Sequence, residues 1–381
     1  MKTELPAKQV SDAARIPVLS VSIMAHPDRS AQAKVLAESL SDLPVRVCFD
    51  PDPEGPWSTV RTARRAWHPW LPSATHHLVL QDDASPCRYF ASEVRAAVAS
   101  QPTSALSYHT EWGSHSSFAV RLAAMSNRPW VDCTDKYFPT ITSSLPVALA
   151  SDLVDYLGQT PGTTDDHEVF NFLRLRGVPS LISVPNLTDH DGDVSVAGNH
   201  RFGRRRASLF LGEMRLGPSW WARAPLSPVL GLPSSHWWFG DPHILLRASR
   251  DLQAGVMEPL ERFAKLIDMS AVDDVISTLR YRCPSVWAAV PDVERLETLL
   301  QALALLICMS RSILKSDAVL YPEMVLAALD SSEGALRKSF PHRSSEFHDE
   351  YRELMSQLWQ VVTRNLDDGL IRDLDPSRFV N

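Results

Sequence analysis

Val18-Leu19-Ser20-Val21-Ser22-Ile23-Met24 is apolar and β-branched and ends at Ala25-His26-Pro27, the pattern of a buried strand followed by a turn. Residues 30–40 then carry Ala33, Leu36, Ala37 and Leu40 at helical spacing. Residues 45–49 read as a second strand, closed by Asp50-Pro51-Asp52-Pro53, which cannot continue a sheet. Residues 57–67 read as a helix bearing Arg61, Arg64 and Arg65. His77-Leu78-Val79-Leu80-Gln81-Asp82-Asp83 is a third strand ending in acids, and residues 90–99 are a helix. This alternation predicts an α/β domain with a mainly parallel sheet. Ligands of such sheets sit at the carboxyl ends of the strands, where Asp50 and the Asp82-Asp83 pair fall.

The pattern continues less regularly. Residues 107–110 and 117–120 read as short strands, 140–144 as loop or strand, and 146–157 as a helix. Residues 164–175 form a helix with an acidic first turn, and 181–184 a last strand followed by the loop 185–195. After Arg206 the texture changes. Trp220, Trp221, Trp237 and Trp238 stand among prolines, which predicts an irregular connector. From Asp251 the chain turns to Leu, Ala, Glu and Arg, with helices expected over 270–280, 293–311, 322–329 and 346–365. The expected organisation is a leader (1–15), an α/β domain (16–205), a Pro/Trp-rich connector (206–250) and a helical domain (251–381).

A chain of 381 residues suits two domains, since single cores stop growing near about 250–300 residues. With 44% hydrophobic residues it can build a sizeable core without disulfides or structural metals. Its formal net charge of −7 is wrong for a general nucleic-acid binder, which needs a broad basic face. Arg201, Arg204, Arg205 and Arg206 are a local exception, readable as a solvated loop or as a phosphate or polyanion contact. Five cysteines, an odd number with no Cys-x-x-Cys spacing, argue against a disulfide framework or zinc ribbon and point to a reducing compartment. No apolar run has signal-peptide or membrane-spanning length, so the expectation is a cytoplasmic protein without a membrane span.

Adjacent acids at a strand end repel each other and call for a cation. A hard divalent ion such as Mg²⁺ or Mn²⁺ supplies one and also binds phosphates. A plain acidic turn is the other reading of Gln81-Asp82-Asp83. An apolar strand, this acidic motif and a following helix resemble the metal-binding motif of glycosyltransferases with the GT-A fold. The match extends, in order, over residues 17–200. The opening strand and loop, with His26 and Arg29, are similar to the segment on which such enzymes lay the nucleotide base. The resemblance implies a role for Asp50 near the base or ribose, and for Arg61, Arg65 and their helix near the diphosphate. Thr163-Thr164-Asp165-Asp166-His167-Glu168 falls where inverting members carry the general base, which implies Asp166, or else Asp165 or Glu168. The same sequence is also a helix N-cap followed by acids favoured at the positive helix end. Pro185-Asn186-Leu187-Thr188-Asp189-His190-Asp191-Gly192 resembles the late loop whose histidine completes the metal site, here His190 beside Asp83. The motif is Gln-Asp-Asp rather than Asp-x-Asp, which leaves open whether Asp82 also touches the metal.

The resemblance implies metal-dependent transfer of a sugar from a nucleoside diphosphate sugar to an acceptor hydroxyl, with inversion, by a hexosyltransferase-like enzyme. The acceptor is open: a small molecule, glycan or peptide, or modified DNA if the arginine cluster binds polyanion. A nucleotidyltransferase and a non-catalytic scaffold with a partner-binding helical half are the rival readings. Hydrolase and P-loop signatures (Gly-x-Ser-x-Gly, His-Glu-x-x-His, Gly-x-x-x-x-Gly-Lys-[Ser/Thr]) are absent.

Overall fold

The computed structural model describes residues 16–190, 205–226, 231–235, 242–246, 256–259, 269–314, 321–335 and 348–367. The leader 1–15, Asp191 and Gly192, Arg201 and Arg204, and Trp237 and Trp238 lie outside the described residues.

A seven-stranded sheet organises the first half. Its strands are β1 (Leu19–Ala25), β2 (Val45–Phe49), β3 (His76–Gln81), β5 (Ala105–Ser107), β6 (Trp130–Asp132), β7 (Thr142–Pro146) and β8 (Ser180–Ser183). The order is β2-β1-β3-β7-β5-β8-β6. β1 pairs parallel with β2 and β3, and β5 parallel with β8, whereas β7 and β6 pair antiparallel with their neighbours. The sheet is therefore mixed, with five strands running one way. Helices flank both faces: α1 (Ser30–Ser39) and α3 (Phe90–Ser100) on one, α2 (Val60–Ala66), α5 (Val147–Leu157) and α6 (Asp165–Arg176) on the other. Period-2 alternation sorts the side chains: Leu78 and Leu80 join the first core, and Val79 between them joins the second.

Two expectations change here. Residues 117–120 are not a strand but lie in helix α4 (His115–Met125). The Ser114 hydroxyl accepts from Ser117 N at 3.2 Å, and the Asp135 carboxylate accepts from His115 N at 2.9 Å and Ser116 N at 3.3 Å. These caps satisfy the orphan donors of the first turn. Every residue of α4 is buried, so its sequence lacks the one-sided apolar stripe that marks a surface helix. Residues 181–184 are also not the last strand element. β4 (Ala84–Pro86) pairs antiparallel with β9 (Thr188–His190) in a separate two-stranded ribbon.

α4 is buried because a second layer of helices covers it. After α7 (Pro218–Trp221) come α8 (Ser270–Arg282), α9 (Pro284–Ala289), α10 (Val293–Ile313), α11 (Pro322–Asp330) and α12 (His348–Asp367). α10 and α11 pack on α4, and α12 packs on α8, α10 and α11. One apolar core runs from the α4 side of the sheet through Leu299, Leu303 and Leu306 to Leu354 and Leu358. The connector is not wholly irregular: its β10 (Gly231–Ser235) and β11 (Pro242–Leu246) form a three-stranded antiparallel sheet with β12 (Val256–Pro259), which falls in the part expected to be helical. Its prolines sit on outer strands or strand ends, the positions that need no ladder donor. Among the described residues no helix is long and apolar enough to cross a membrane.

The buried Arg121 of α4 ties the layers together. It donates to the Trp112 carbonyl (2.5 Å), to Ser331 O (2.5 Å) and Oγ (3.1 Å), and to Ser117 Oγ (2.7 Å). Burial lowers its pKa to about 10, which leaves it charged at neutral pH.

Candidate functional site

β1, β2 and β3 lie side by side and parallel, so their carboxyl ends open onto one place. A cleft of about 340 Å³ lies there, lined among others by His26, Arg29, Asp50, Trp57, Thr59, Arg61, Asp82, Asp83 and Arg205. β1 delivers His26 and Arg29 on a single 3-10 turn (Pro27–Arg29), and β3 delivers the two acids.

The acids are held by opposite charge and by backbone. Arg29 Nη1 donates to Asp82 Oδ1 at 3.0 Å and to Asp83 Oδ2 at 2.7 Å. The other Asp82 oxygen accepts from His26 N at 2.9 Å. The β4–β9 ribbon sets Ala84 opposite His190, which brings the imidazole back over the acids. His190 Nε2 lies 3.2 Å from Asp83 Oδ2 and 3.1 Å from Arg205 Nη2. Burial alone would raise the pKa of Asp83, but His190 and Arg29 outweigh it and hold this carboxyl well below the ordinary range. Asp82 moves the other way: burial, aided by the adjacent Asp83 charge, raises its pKa. Asp83 Oδ1 and His190 Nδ1 are buried without a hydrogen-bond partner among the described residues. Beneath them burial holds His109 neutral, its pKa pushed down to about 3, with its ring 6.4 Å from that of His190.

Arg205 enters the cleft through pairing distant in sequence. Asp189 Oδ1 accepts from both His190 N (2.9 Å) and Ala207 N (2.7 Å). Ser208 N donates to Thr110 O at 2.8 Å and Trp112 N to Arg206 O at 2.9 Å, so residues 206–208 run along 110–112. Sequence patterning shows the arginine cluster but not this return. It also passes over Trp57, which is 51% exposed on the cleft wall, and Thr59.

Asp50 and Arg61 meet as a bidentate pair, at 2.7 Å and 3.0 Å. Arg61 also donates to the carbonyls of Asp52 and Pro56, so it clamps the loop that carries Trp57. Arg61 and the Asp52 N–H overcome the effect of burial and lower the Asp50 pKa. Arg65 lies apart from the cleft: it is exposed and, among the described residues, reaches only the Phe49 carbonyl, at 3.4 Å.

The three acids at the start of α6 have different surroundings. Asp165 exchanges hydrogen bonds with Thr59, whose hydroxyl donates to its carboxylate (2.7 Å) and accepts from its N–H (2.8 Å). That couples α6 to the cleft wall. Glu168 accepts from Tyr156 OH (2.9 Å) and Thr160 Oγ1 (2.5 Å) and is committed to the α5–α6 loop. Asp166 is partly buried, and its side chain accepts from the His167 N–H next to it, at 2.8 Å. Burial and the Asp165 charge push its pKa up to about 6. A carboxyl so shifted is suited to accept a proton near neutral pH.

Asp83 and His190 suit a divalent ion. Their facing atoms are separated by the distance that two ligands of one cation keep, and the set of oxygen and imidazole nitrogen fits Mn²⁺. Among the described residues no group of three or more metal-ligating side chains forms. Two protein ligands are the ordinary number where substrate phosphates complete the coordination. No protein-family model and no curated protein matches the sequence.

Proposed function

We propose that this chain is a metal-dependent glycosyltransferase that uses a nucleoside diphosphate sugar. The observation that carries the reading is the approach of His190 to Asp83, 3.2 Å apart, with Asp83 on the wall of the β1–β3 cleft. The ordered likeness to the GT-A pattern supports the same reading.

In this reading Asp83 and His190 hold Mn²⁺ or Mg²⁺, and the bound ion supplies neutralisation of charge on the departing diphosphate. Arg29 and Arg205 add positive charge beside it, which favours the leaving group. Trp57 offers an aromatic face for the base or sugar, and the Asp50–Arg61 pair holds its loop in shape. Asp166 takes the proton from the acceptor hydroxyl as that oxygen attacks the anomeric carbon, a single displacement with inversion. Asp82 orients Arg29 and the His26 turn. The acceptor belongs to this proposal only as a hydroxyl.

A thermal-shift panel tests it. UDP-, GDP-, TDP- and CMP-sugars are added with and without Mn²⁺ to wild type and Asp83→Ala. One nucleotide class should raise the melting temperature only when both Mn²⁺ and Asp83 are present. No shift with any donor would favour a non-catalytic scaffold. A shift with nucleoside triphosphates alone would favour a nucleotidyltransferase.

A further inference from the structure

Arg29 and Arg205 lie where the proposed metal ligands would need to be free. Arg29 Nη1 engages the same Asp83 oxygen, Oδ2, that faces His190, and Arg205 Nη2 lies on the same His190 nitrogen, Nε2, that faces Asp83. One nitrogen cannot satisfy both neighbours. With a hydrogen on Nε2, it donates to Asp83 and meets the Arg205 donor head-on. With a lone pair there, it accepts from Arg205 and faces the carboxylate oxygen acceptor to acceptor. In that second tautomer Nδ1 carries the hydrogen, and among the described residues Nδ1 is buried without a partner.

Charge points the same way. Asp82 and Asp83 balance Arg29 and Arg205 within one cleft. A divalent ion added alone leaves two uncompensated positive charges in a partly buried site, which is costly. A diphosphate brings the missing negative charge and gives both guanidinium groups a better acceptor, since arginine matches phosphate oxygens well.

We infer that Arg29 and Arg205 form a latch on the cation site, released by diphosphate, so that metal binds strongly only together with the diphosphate. Arg29 moves from the acids, and Arg205 from His190, onto phosphate oxygens. The inference rests on the metal-site reading above and adds its order of assembly.

Mn²⁺ binding to the full chain can be read from the water-proton relaxation enhancement of protein-bound Mn²⁺, with inorganic pyrophosphate as the probe and protein-free Mn²⁺-pyrophosphate as the blank. Wild type should bind Mn²⁺ at least about tenfold more tightly with pyrophosphate than without, within the usual range of coupling between sites. Arg205→Met and Arg29→Met should each bind Mn²⁺ alone more tightly than wild type and show a smaller gain from pyrophosphate. Equal Mn²⁺ affinity with and without pyrophosphate in wild type, abolished by Asp83→Ala, would overturn the latch and leave the metal site standing. No enhancement in any sample would overturn the metal site, and the latch with it.

Discussion

Gly334→Ala should destabilise the protein although Gly334 lies outside the cleft. A methyl group built there meets the indole of Trp112, with its Cγ at 2.3 Å, Cδ1 at 2.6 Å and Cδ2 at 2.7 Å. Gly334 does not hold the left-handed backbone that only glycine favours, so the contact alone decides the outcome. Trp112 is 7% exposed and anchored on both sides: Arg121 bonds its carbonyl, and its own N–H bonds Arg206 O. The ring must move by an ångström or so, at an overpacking cost of about 1–3 kcal/mol. At about 2–4 °C per kcal/mol this is a drop of about 2–12 °C by differential scanning fluorimetry. Trp112→Leu removes the obstacle, so the double variant should be more stable than the sum of the singles by about 0.5–3 kcal/mol. Because Trp112 bonds the segment that carries Arg205, Gly334→Ala should also weaken nucleotide binding. A melting temperature within about 1 °C of wild type, or strictly additive costs, would refute the packing argument.

Other outcomes follow from the cleft. The rate of donor turnover should fall about tenfold per pH unit below about pH 6, because Asp166 acts as a base only when ionised and its pKa is raised to about 6. Asp166→Asn should lower the turnover rate by about 10²–10⁴ while leaving nucleotide affinity nearly unchanged, as measured by calorimetry. Arg61→Ala should weaken nucleotide binding by about tenfold by releasing the Trp57 loop, whereas Arg65→Ala should leave it unchanged; equal effects would contradict the geometry. Thr59→Val leaves the Asp165 N–H and carboxylate short of a partner and should cost about 1–3 kcal/mol in a denaturant titration.

The parts of this structure legible in the sequence are those fixed by local pattern. β1, β2 and β3 read correctly because each is a short apolar run stopped by His-Pro, Asp-Pro or paired acids. The same stops place His26, Asp50 and Asp82-Asp83 at strand ends, so much of the cleft wall could be anticipated. α4 could not, because burial on all sides erases the periodicity that separates helix from strand. The β10–β12 sheet was hidden for a related reason: its short, proline-bearing segments are patterned by pairing rather than by a one-sided core. Side-chain partners are the least legible layer. Glu168 and Asp166 are near neighbours of similar type, yet Tyr156 and Thr160 claim the first and leave the second with little but its own helix. Arg205 reaches the cleft only because Asp189, Thr110 and Trp112 hold the returning chain, contacts spanning 18 to 98 residues.

The most direct test of the central claim is release of nucleoside diphosphate from its sugar ester. The donor class that gives a thermal shift is incubated with the full chain, water serving as the fallback acceptor. Release should require Mn²⁺ or Mg²⁺, stop on chelation and resume on adding metal back, and be lost in Asp83→Ala and His190→Ala. Release that proceeds equally in chelator, or in both variants, would contradict a metal-assisted glycosyl transfer at Asp83 and His190.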